Sequence, residues 1–131
     1  MRYMLLLYET DRDPSAPAFE ATIGAHGAFI DDCTERGAFL AAGALRPVQT
    51  ATSVRVRDGE TLITDGPYTE TREWFGGYYL LDCRDLDEAL ELAAKCPVAH
   101  NGTVEVRPIH EGIMARIVQR RQDHEREVAS R

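Results

Sequence analysis

A β-α-β pattern near the C-terminal end constrains the fold more than any other feature of this sequence. Residues 76–82, GGYYLLD, and residues 103–109, TVEVRPI, have the apolar, aromatic or alternating character of strands. Between them, residues 85–96 read DLDEALELAAKC, with Asp85 placed to cap a helix and Glu88 three residues later. A helix between two strands must pack on a sheet, so the chain is predicted to be a mixed α and β protein.

The first third of the chain repeats this pattern. Residues 2–8, RYMLLLY, form a compact apolar run that predicts a buried strand, and residues 38–45, AFLAAGAL, predict a second strand. The segment between them is predicted to be a helix that begins after Pro14 and Pro17 and ends at Gly37.

Each predicted helix carries an apolar stripe at helical spacing. A stripe of this kind is expected to pack on the sheet. The predicted members are Phe19, Ile23, His26, Ile30 and Cys33 in the first helix, and Leu86, Ala89, Leu90 and Ala93 in the second.

An inserted hairpin separates the two halves. Asp58-Gly59 stands between SVRVR and ETLIT, and Asp-Gly between two β-prone runs is typical of a two-residue turn. The fold class is therefore α+β: a ferredoxin-like βαββαβ domain with an inserted β-hairpin. The predicted domain is 1–110, and 111–131 is a C-terminal helical tail that frays or docks on a partner. Two helices cover one face of a sheet, so a second subunit is expected on the other face, which predicts a homodimer.

Composition excludes several classes of function. The 131 residues carry a net charge of −7, and an acidic chain lacks the clustered Lys and Arg of a broad nucleic-acid-binding face. No apolar run approaches the roughly 20 residues that span a bilayer, so no membrane partner is expected. Three cysteines without CxxC spacing fit small buried side chains better than a disulfide framework or a zinc site. A cytoplasmic location follows as the expectation.

Several ordered motifs together resemble a known family. These are RYMLLLY, AHGAFIDDCTERG, FLAAGAL, TDGPYTETREWFGGYYLLD, DLDEALELAAKCP and GTVEVRPI. They resemble the YCII-related proteins, in particular the branch named for a DGPF motif, which reads Asp65-Gly66-Pro67-Tyr68 here. The resemblance implies a dimeric α+β barrel with a cleft between helix and sheet. It also implies small-molecule chemistry in some members, including a dehydrochlorinase-type activity with a His–acid pair, and a genomic association with extracytoplasmic-function sigma factors.

His26 and Asp65 are the predicted catalytic residues. The resemblance places His26 at the family's histidine, where it could act as a general acid or base; the alternative is a core histidine bonded to a backbone carbonyl. Glu35 is an unsuitable partner because nine helical residues separate the two side chains by roughly 13 Å along the axis. Asp65 either caps its own turn or points across the cleft and orients the imidazole.

Four further residues are predicted to bind substrate. Tyr68, Trp74 and Tyr78 are expected near the DGPY turn, where they either pack or form the walls of a small-molecule pocket. Arg46 either is solvated or binds an anionic group. His26, His100 and His110 lack the spacing of metal ligands, so neither a metal nor another cofactor is predicted.

Two functions follow as hypotheses. The first is a small-molecule-binding protein, and as an enzyme a cofactor-free lyase or isomerase in which His26 moves a proton and Asp65 orients it. The alternative is a non-catalytic ligand-binding or protein-interaction module that acts beside a sigma factor.

Overall fold

The computed structural model describes residues 1–10, 13 and 15–131; Pro14, predicted at the start of the first helix, lies outside them. Six strands and three helices form in the predicted order. The strands are β1 (Arg2–Glu9), β2 (Phe39–Ala44), β3 (Thr52–Arg57), β4 (Glu60–Asp65), β5 (Trp74–Asp82) and β6 (Thr103–Pro108). The helices are α1 (Phe19–Glu35), α2 (Leu86–Lys95) and α3 (Glu111–Ala129), and short 3-10 helices lie at Val48–Thr50 and Pro97–His100.

Four strands form the main sheet in the order β2-β5-β1-β6, with every neighbouring pair antiparallel. This order places the first and third core strands side by side at the centre, as in the ferredoxin-like fold. The predicted α+β class is confirmed. A separate two-stranded sheet contains β3 and β4.

The two faces of the main sheet differ in cover. Tyr3, Leu5 and Leu7 of β1 are at most 3% exposed and belong to the core. Met4 and Leu6 alternate with them and point to the opposite face, where they are only half-buried. The helices therefore cover one face and leave an apolar second face open.

Each helix buries only part of its predicted stripe: Cys33 in α1, and Ala89 and Ala93 in α2. In α1 the buried side chains are Phe29 and Cys33, whereas Ile23 is 48% exposed. In α2 they are Ala89, Leu92 and Ala93, whereas Leu86 and Leu90 are about half exposed. The stripes predicted from Ile23, Leu86 and Leu90 were wrong at these positions because each helix turns a neighbouring line of residues toward the sheet.

The predicted hairpin turn, helix end and helix cap are all present. Asp58 and Gly59 have φ values of 51° and 78°, the left-handed pair that a tight hairpin turn requires, and Gly37 has φ 73° after α1. The Asp85 carboxylate accepts a hydrogen bond from the backbone N–H of Glu88 at 2.9 Å. Glu88 in turn accepts from the backbone N–H of Arg84, one residue before the position that a capping box predicts.

The C-terminal helix is attached at its first turn. Glu111 accepts from Arg2 in two parallel hydrogen bonds, of 3.1 Å to Nε and 2.7 Å to Nη2, and His110 Nδ1 accepts from the backbone N–H of Ile113. Beyond this turn α3 has no buried residue. The charged part of the tail continues as helix to Ala129, so the predicted fraying is absent.

The three cysteines are buried, as predicted. Cys33 and Cys96 have no exposed surface, and Cys83 is 2% exposed. Burial raises the pKa of the Cys33 thiol to about 11, and the neighbouring Asp32 carboxylate adds to this shift. At neutral pH this thiol is protonated and packs as a small apolar side chain.

Candidate functional site

A cleft of about 400 Å³ lies between α1 and the edge of the sheet formed by β2 and β5. Ile23 and His26 form its helical wall, and Tyr79 forms part of its sheet wall. The lining is mostly apolar, which is typical of pockets that take small molecules. Ile23 is exposed because this part of α1 faces the cleft instead of the core.

His26 and Tyr79 are joined across the cleft wall by a hydrogen bond. His26 Nδ1 lies 2.6 Å from the Tyr79 hydroxyl oxygen, and the two rings stack with their centroids 6.0 Å apart. His26 is half-buried, whereas Tyr79 is 4% exposed. The alternative of a core histidine bonded only to a backbone carbonyl is thus excluded. The structure gives His26 a titratable side-chain partner.

Strand register explains why Tyr79 meets α1. Alternation along β5 directs Tyr79 and Leu81 to the helical face, where Tyr79 is opposite Leu5 of β1. Phe29, one helical turn after His26, contacts the Tyr79 ring edge-on at a centroid distance of 4.9 Å. The tyrosine is therefore held by packing on one side and by the histidine on another.

Small residues along the sheet edge leave room for the cleft. A side chain at Gly77 would meet the carbonyl oxygen of Gly43 at 2.7 Å, so these strands approach each other as only glycine allows. A side chain at Gly43 would meet Tyr78 Cε1 at 2.6 Å. The Tyr78 ring packs over Gly43, on the sheet face opposite Tyr79. Tyr78 borders the cleft at the sheet edge, but it is its neighbour Tyr79 that bonds His26.

Asp65 is not brought to His26 within this chain. It ends β4 in the two-stranded sheet, opposite Thr52, and its side chain is exposed. Across the described part of the chain, neither a hydrogen bond nor an ion pair connects it to His26 or to the amides of its own turn. The turn is held instead by the Ser53 hydroxyl, which donates to the Gly66 carbonyl at 2.9 Å. The predicted His26–Asp65 contact is absent because the hairpin carries Asp65 on a separate sheet.

The other three predicted residues meet in a second cleft, of about 640 Å³. Arg46, Tyr68 and Trp74 line it together, between the base of the hairpin and the open face of the main sheet. The Tyr68 ring also lies under the guanidinium of Arg55, 5.2 Å from its carbon to the ring centroid. The six predicted residues therefore divide between two clefts and the exposed position of Asp65.

Sequence reasoning missed two residues of these sites. Tyr79 had a usable signal, because alternation along β5 separates it from Tyr78 and directs one of the two toward α1. No sequence signal pointed to Arg55, because its contact with Tyr68 depends on how the DGPY turn folds back along β3.

The residues that the structure describes contain no group of three or more His, Cys, Asp or Glu side chains arranged to hold a metal ion. None of their helices is long and apolar enough to cross a membrane.

The fold and the His26–Tyr79 cleft define a ferredoxin-like α+β protein with a small-molecule-sized site between helix and sheet. The YCII-related domain matches residues 1–112, and the chain belongs to this family.

Two further similarities are more limited. An uncharacterised protein of Rhizobium meliloti (strain 1021) is 45% identical over 67 residues, which are 50% of this chain and 54% of that protein. The chain thus matches about half the length of this curated relative. A solved structure of 5-chloro-2-hydroxyhydroquinone dehydrochlorinase (TftG) from Burkholderia phenoliruptrix AC1100, in complex with 2,5-dihydroxybenzoquinone, aligns with a TM-score of 0.46 and 14% identity. It covers 83% of this chain and 93% of that chain, and a similarity at this level supports no conclusion about the reaction.

Proposed function

We propose that the cleft between α1 and the sheet binds a small molecule and that His26 and Tyr79 move a proton on it. The hydrogen bond of 2.6 Å between His26 Nδ1 and the Tyr79 hydroxyl carries this proposal. It joins an imidazole, which can accept or donate a proton, to a phenol at the wall of an apolar cleft. Membership of the YCII-related family is consistent with a small-molecule site.

The pair acts as a relay. In the tautomer with its proton on Nε2, His26 accepts at Nδ1 the hydrogen bond that the Tyr79 hydroxyl donates. The Tyr79 oxygen takes a proton from a substrate carbon as its own proton passes to Nδ1. The imidazole then carries the positive charge, and the electron pair of the broken C–H bond stays on the substrate.

This chemistry suits a lyase or isomerase that uses no cofactor. The electron pair can expel a leaving group from the adjacent carbon, which forms a double bond, or it can delocalise into a neighbouring carbonyl until a proton returns elsewhere. The substrate class is a small cyclic or carbonyl compound with an acidic C–H bond, because the cleft walls are mainly apolar.

Exchange of carbon-bound hydrogen with solvent tests the proposal without a known product. Cyclopentanone and cyclohexanone are incubated with the protein in D2O, and loss of their α-proton signals is followed by NMR. The protein is expected to accelerate exchange, and H26Q is expected to lower the accelerated rate roughly 100-fold, a usual contribution of general acid–base catalysis.

H100Q is the matched control, since His100 ends a 3-10 helix away from the cleft. It should exchange like the unaltered chain. Equal rates for H26Q and H100Q, or no acceleration by the unaltered chain with either ketone, would refute the proton-transfer role.

We also propose that a second copy covers the open face of the sheet around Met4, Leu40 and Leu80, none of which lines the cleft at Arg46. Met4 and Leu80 are half-buried and Leu40 is exposed. L80E should shift the mass measured by light scattering from dimer to monomer, whereas V54E, on the exposed hairpin, should leave it unchanged. A monomeric unaltered chain would contradict this arrangement.

The protein-interaction module is the second candidate function, and α3 is the observation that favours it. Ile113, Ile117 and Val118 are 50%, 53% and 45% exposed along one side of this helix. The partner proposed is an extracytoplasmic-function sigma factor, as the resemblance to the DGPF branch implies. Membership of that branch and a cytoplasmic location stay predictions. Calorimetric titration with such a sigma factor should detect binding that I117D abolishes and H26Q leaves intact; no heat of binding would remove this candidate.

A further inference from the structure

We infer that the cleft between the hairpin and the open sheet face, the hairpin cleft, is a second ligand site that takes a planar aromatic carboxylate. It is lined by Arg46 together with Tyr8, Tyr68, Trp74 and Phe75, and its volume of about 640 Å³ falls in the usual range for small-molecule sites. His26 and Tyr79 are not among its lining residues. The inference is therefore independent of the proton relay.

The aromatic walls come from three separate segments. Tyr8 belongs to β1, where its ring lies 5.7 Å from that of Phe75 in β5. Tyr68 comes from the DGPY turn and is 74% exposed. Phe75 is 40% exposed, and Tyr8 and Trp74 are half-buried, so each ring keeps some accessible surface on which another ring can stack.

The turn that carries Tyr68 is fixed in place. The Gly66 N–H donates to the Ala51 carbonyl at 2.8 Å, and the Ser53 hydroxyl donates to the Gly66 carbonyl. Arg55 then lies over the Tyr68 ring. An exposed aromatic held on an ordered turn loses less conformational entropy on binding than one on a loose loop.

The charged side chains at the hairpin cleft indicate that the ligand carries a negatively charged group. The chain as a whole carries −7, yet Arg46 lines this cleft and Arg55 lies beside its Tyr68 wall. Within the described residues the Arg46 guanidinium makes no ion pair with a carboxylate. A guanidinium binds a carboxylate through two parallel hydrogen bonds, so a ligand carboxylate can supply a partner for Arg46.

Ring and carboxylate together specify the class of ligand. A benzoate-like molecule can place its ring among Tyr8, Trp74 and Phe75 while its carboxylate reaches Arg46. A neutral amide of the same shape would lose the ion pair, and a saturated ring with the same carboxylate would lose the stacking.

Trp74 reports on ligand binding in the hairpin cleft. It is the single tryptophan and so gives one indole N–H signal in a nitrogen–proton NMR spectrum. The full chain is titrated with sodium benzoate, benzamide and cyclohexanecarboxylate at constant ionic strength. Benzoate is expected to shift the indole signal saturably, with an affinity roughly fivefold or more above those of both analogues. R46Q should abolish the preference for benzoate over benzamide.

R57Q is the matched control, since Arg57 ends β3 at the hairpin turn and donates to the carbonyl of its neighbour Val56. R57Q and H26Q should both retain the benzoate preference. Equal shifts for benzoate and benzamide, an equal loss in R46Q and R57Q, or a linear shift without saturation would overturn the inference. An unaltered chain that binds benzoate but accelerates exchange of neither ketone would count against the relay alone.

Discussion

The cleft at His26 and the hairpin cleft are built from different parts of the molecule. The first takes its walls from α1, β2 and β5, whose inner residues form the core, and its polar pair is fixed by a hydrogen bond and by packing on Phe29. The second takes its walls from the hairpin, a surface turn and the open face of the sheet. Tyr68 is 74% exposed, whereas Tyr79 is 4% exposed.

This structural difference matches the two proposed roles, proton transfer in the first cleft and ligand recognition in the second. Proton transfer needs atoms held at hydrogen-bond distance, and only the core-supported cleft provides such a pair. Recognition of a ring and a charge tolerates exposed side chains, which the hairpin supplies. We therefore expect substitutions under the first cleft to affect the whole fold, and those on the hairpin to act locally.

The largest expected effect is F29A. Phe29 is 5% exposed and contacts Tyr79, so its truncation leaves a cavity beneath the cleft and should lower the free energy of unfolding by about 3–5 kcal/mol. V54A removes a side chain that is 62% exposed on the hairpin and should change stability by less than about 0.5 kcal/mol. Urea unfolding measures both. Equal losses of unfolding free energy in the two variants would show that the core does not stabilise the first cleft more than the hairpin.

G43A tests the crowding at the sheet edge. The added methyl group would lie 2.6 Å from Tyr78 Cε1, so the ring must move, at an expected cost of about 1–3 kcal/mol. G24A is its matched control, because nothing lies within 4 Å of a methyl group there and alanine favours the helix by up to about 1 kcal/mol. Thermal unfolding should move in opposite directions for the two variants; a shift in the same direction would contradict this packing.

Cys33 predicts a decline in stability at alkaline pH. Its pKa is raised from 9.0 to about 11 by burial, so the folded state favours the protonated thiol. The resulting contribution, on the order of 1–3 kcal/mol, is complete below pH 9 and is lost between pH 9 and 11 as the unfolded thiol ionises. Stability measured across this range should fall less steeply for C33A than for the unaltered chain. Parallel slopes would rule out the contribution.

The smallest expected effect is that of D65N on ketone exchange. Asp65 is exposed on the hairpin and makes no contact with His26 in this chain, so the rate should change by less than about twofold. A loss as large as that of H26Q would instead restore the catalytic role predicted for Asp65, with a contact made in a state other than this one.

Local signals were sufficient for the fold and insufficient for the sites. The Asp58-Gly59 turn, the Asp85 cap and the strand patterns depend on neighbours in sequence, and each formed as predicted. The pairing of His26 with Tyr79 depends on the register of β5 against β1 and on the side of α1 that meets the sheet. Two adjacent tyrosines in one strand face opposite ways, and the aromatic cluster near DGPY drew attention to Tyr78 instead.

The buried stripes of the helices show the same limit. Periodicity identified α1 and α2 as amphipathic but could not fix their rotation about the helix axis. Phe29 replaced Ile23 in the core, and Leu92 replaced Leu90. The exposed Ile23 then became a wall of the cleft, a role that only the packed structure defines.

A double-mutant cycle of H26Q and Y79F in the ketone exchange assay tests the central claim most directly. If the two side chains act as one relay through their hydrogen bond, each single variant should lose roughly 100-fold, and the double variant should lose little more than either one. Losses that multiply in the double variant, or a Y79F protein that exchanges at the unaltered rate, would contradict a relay through Tyr79.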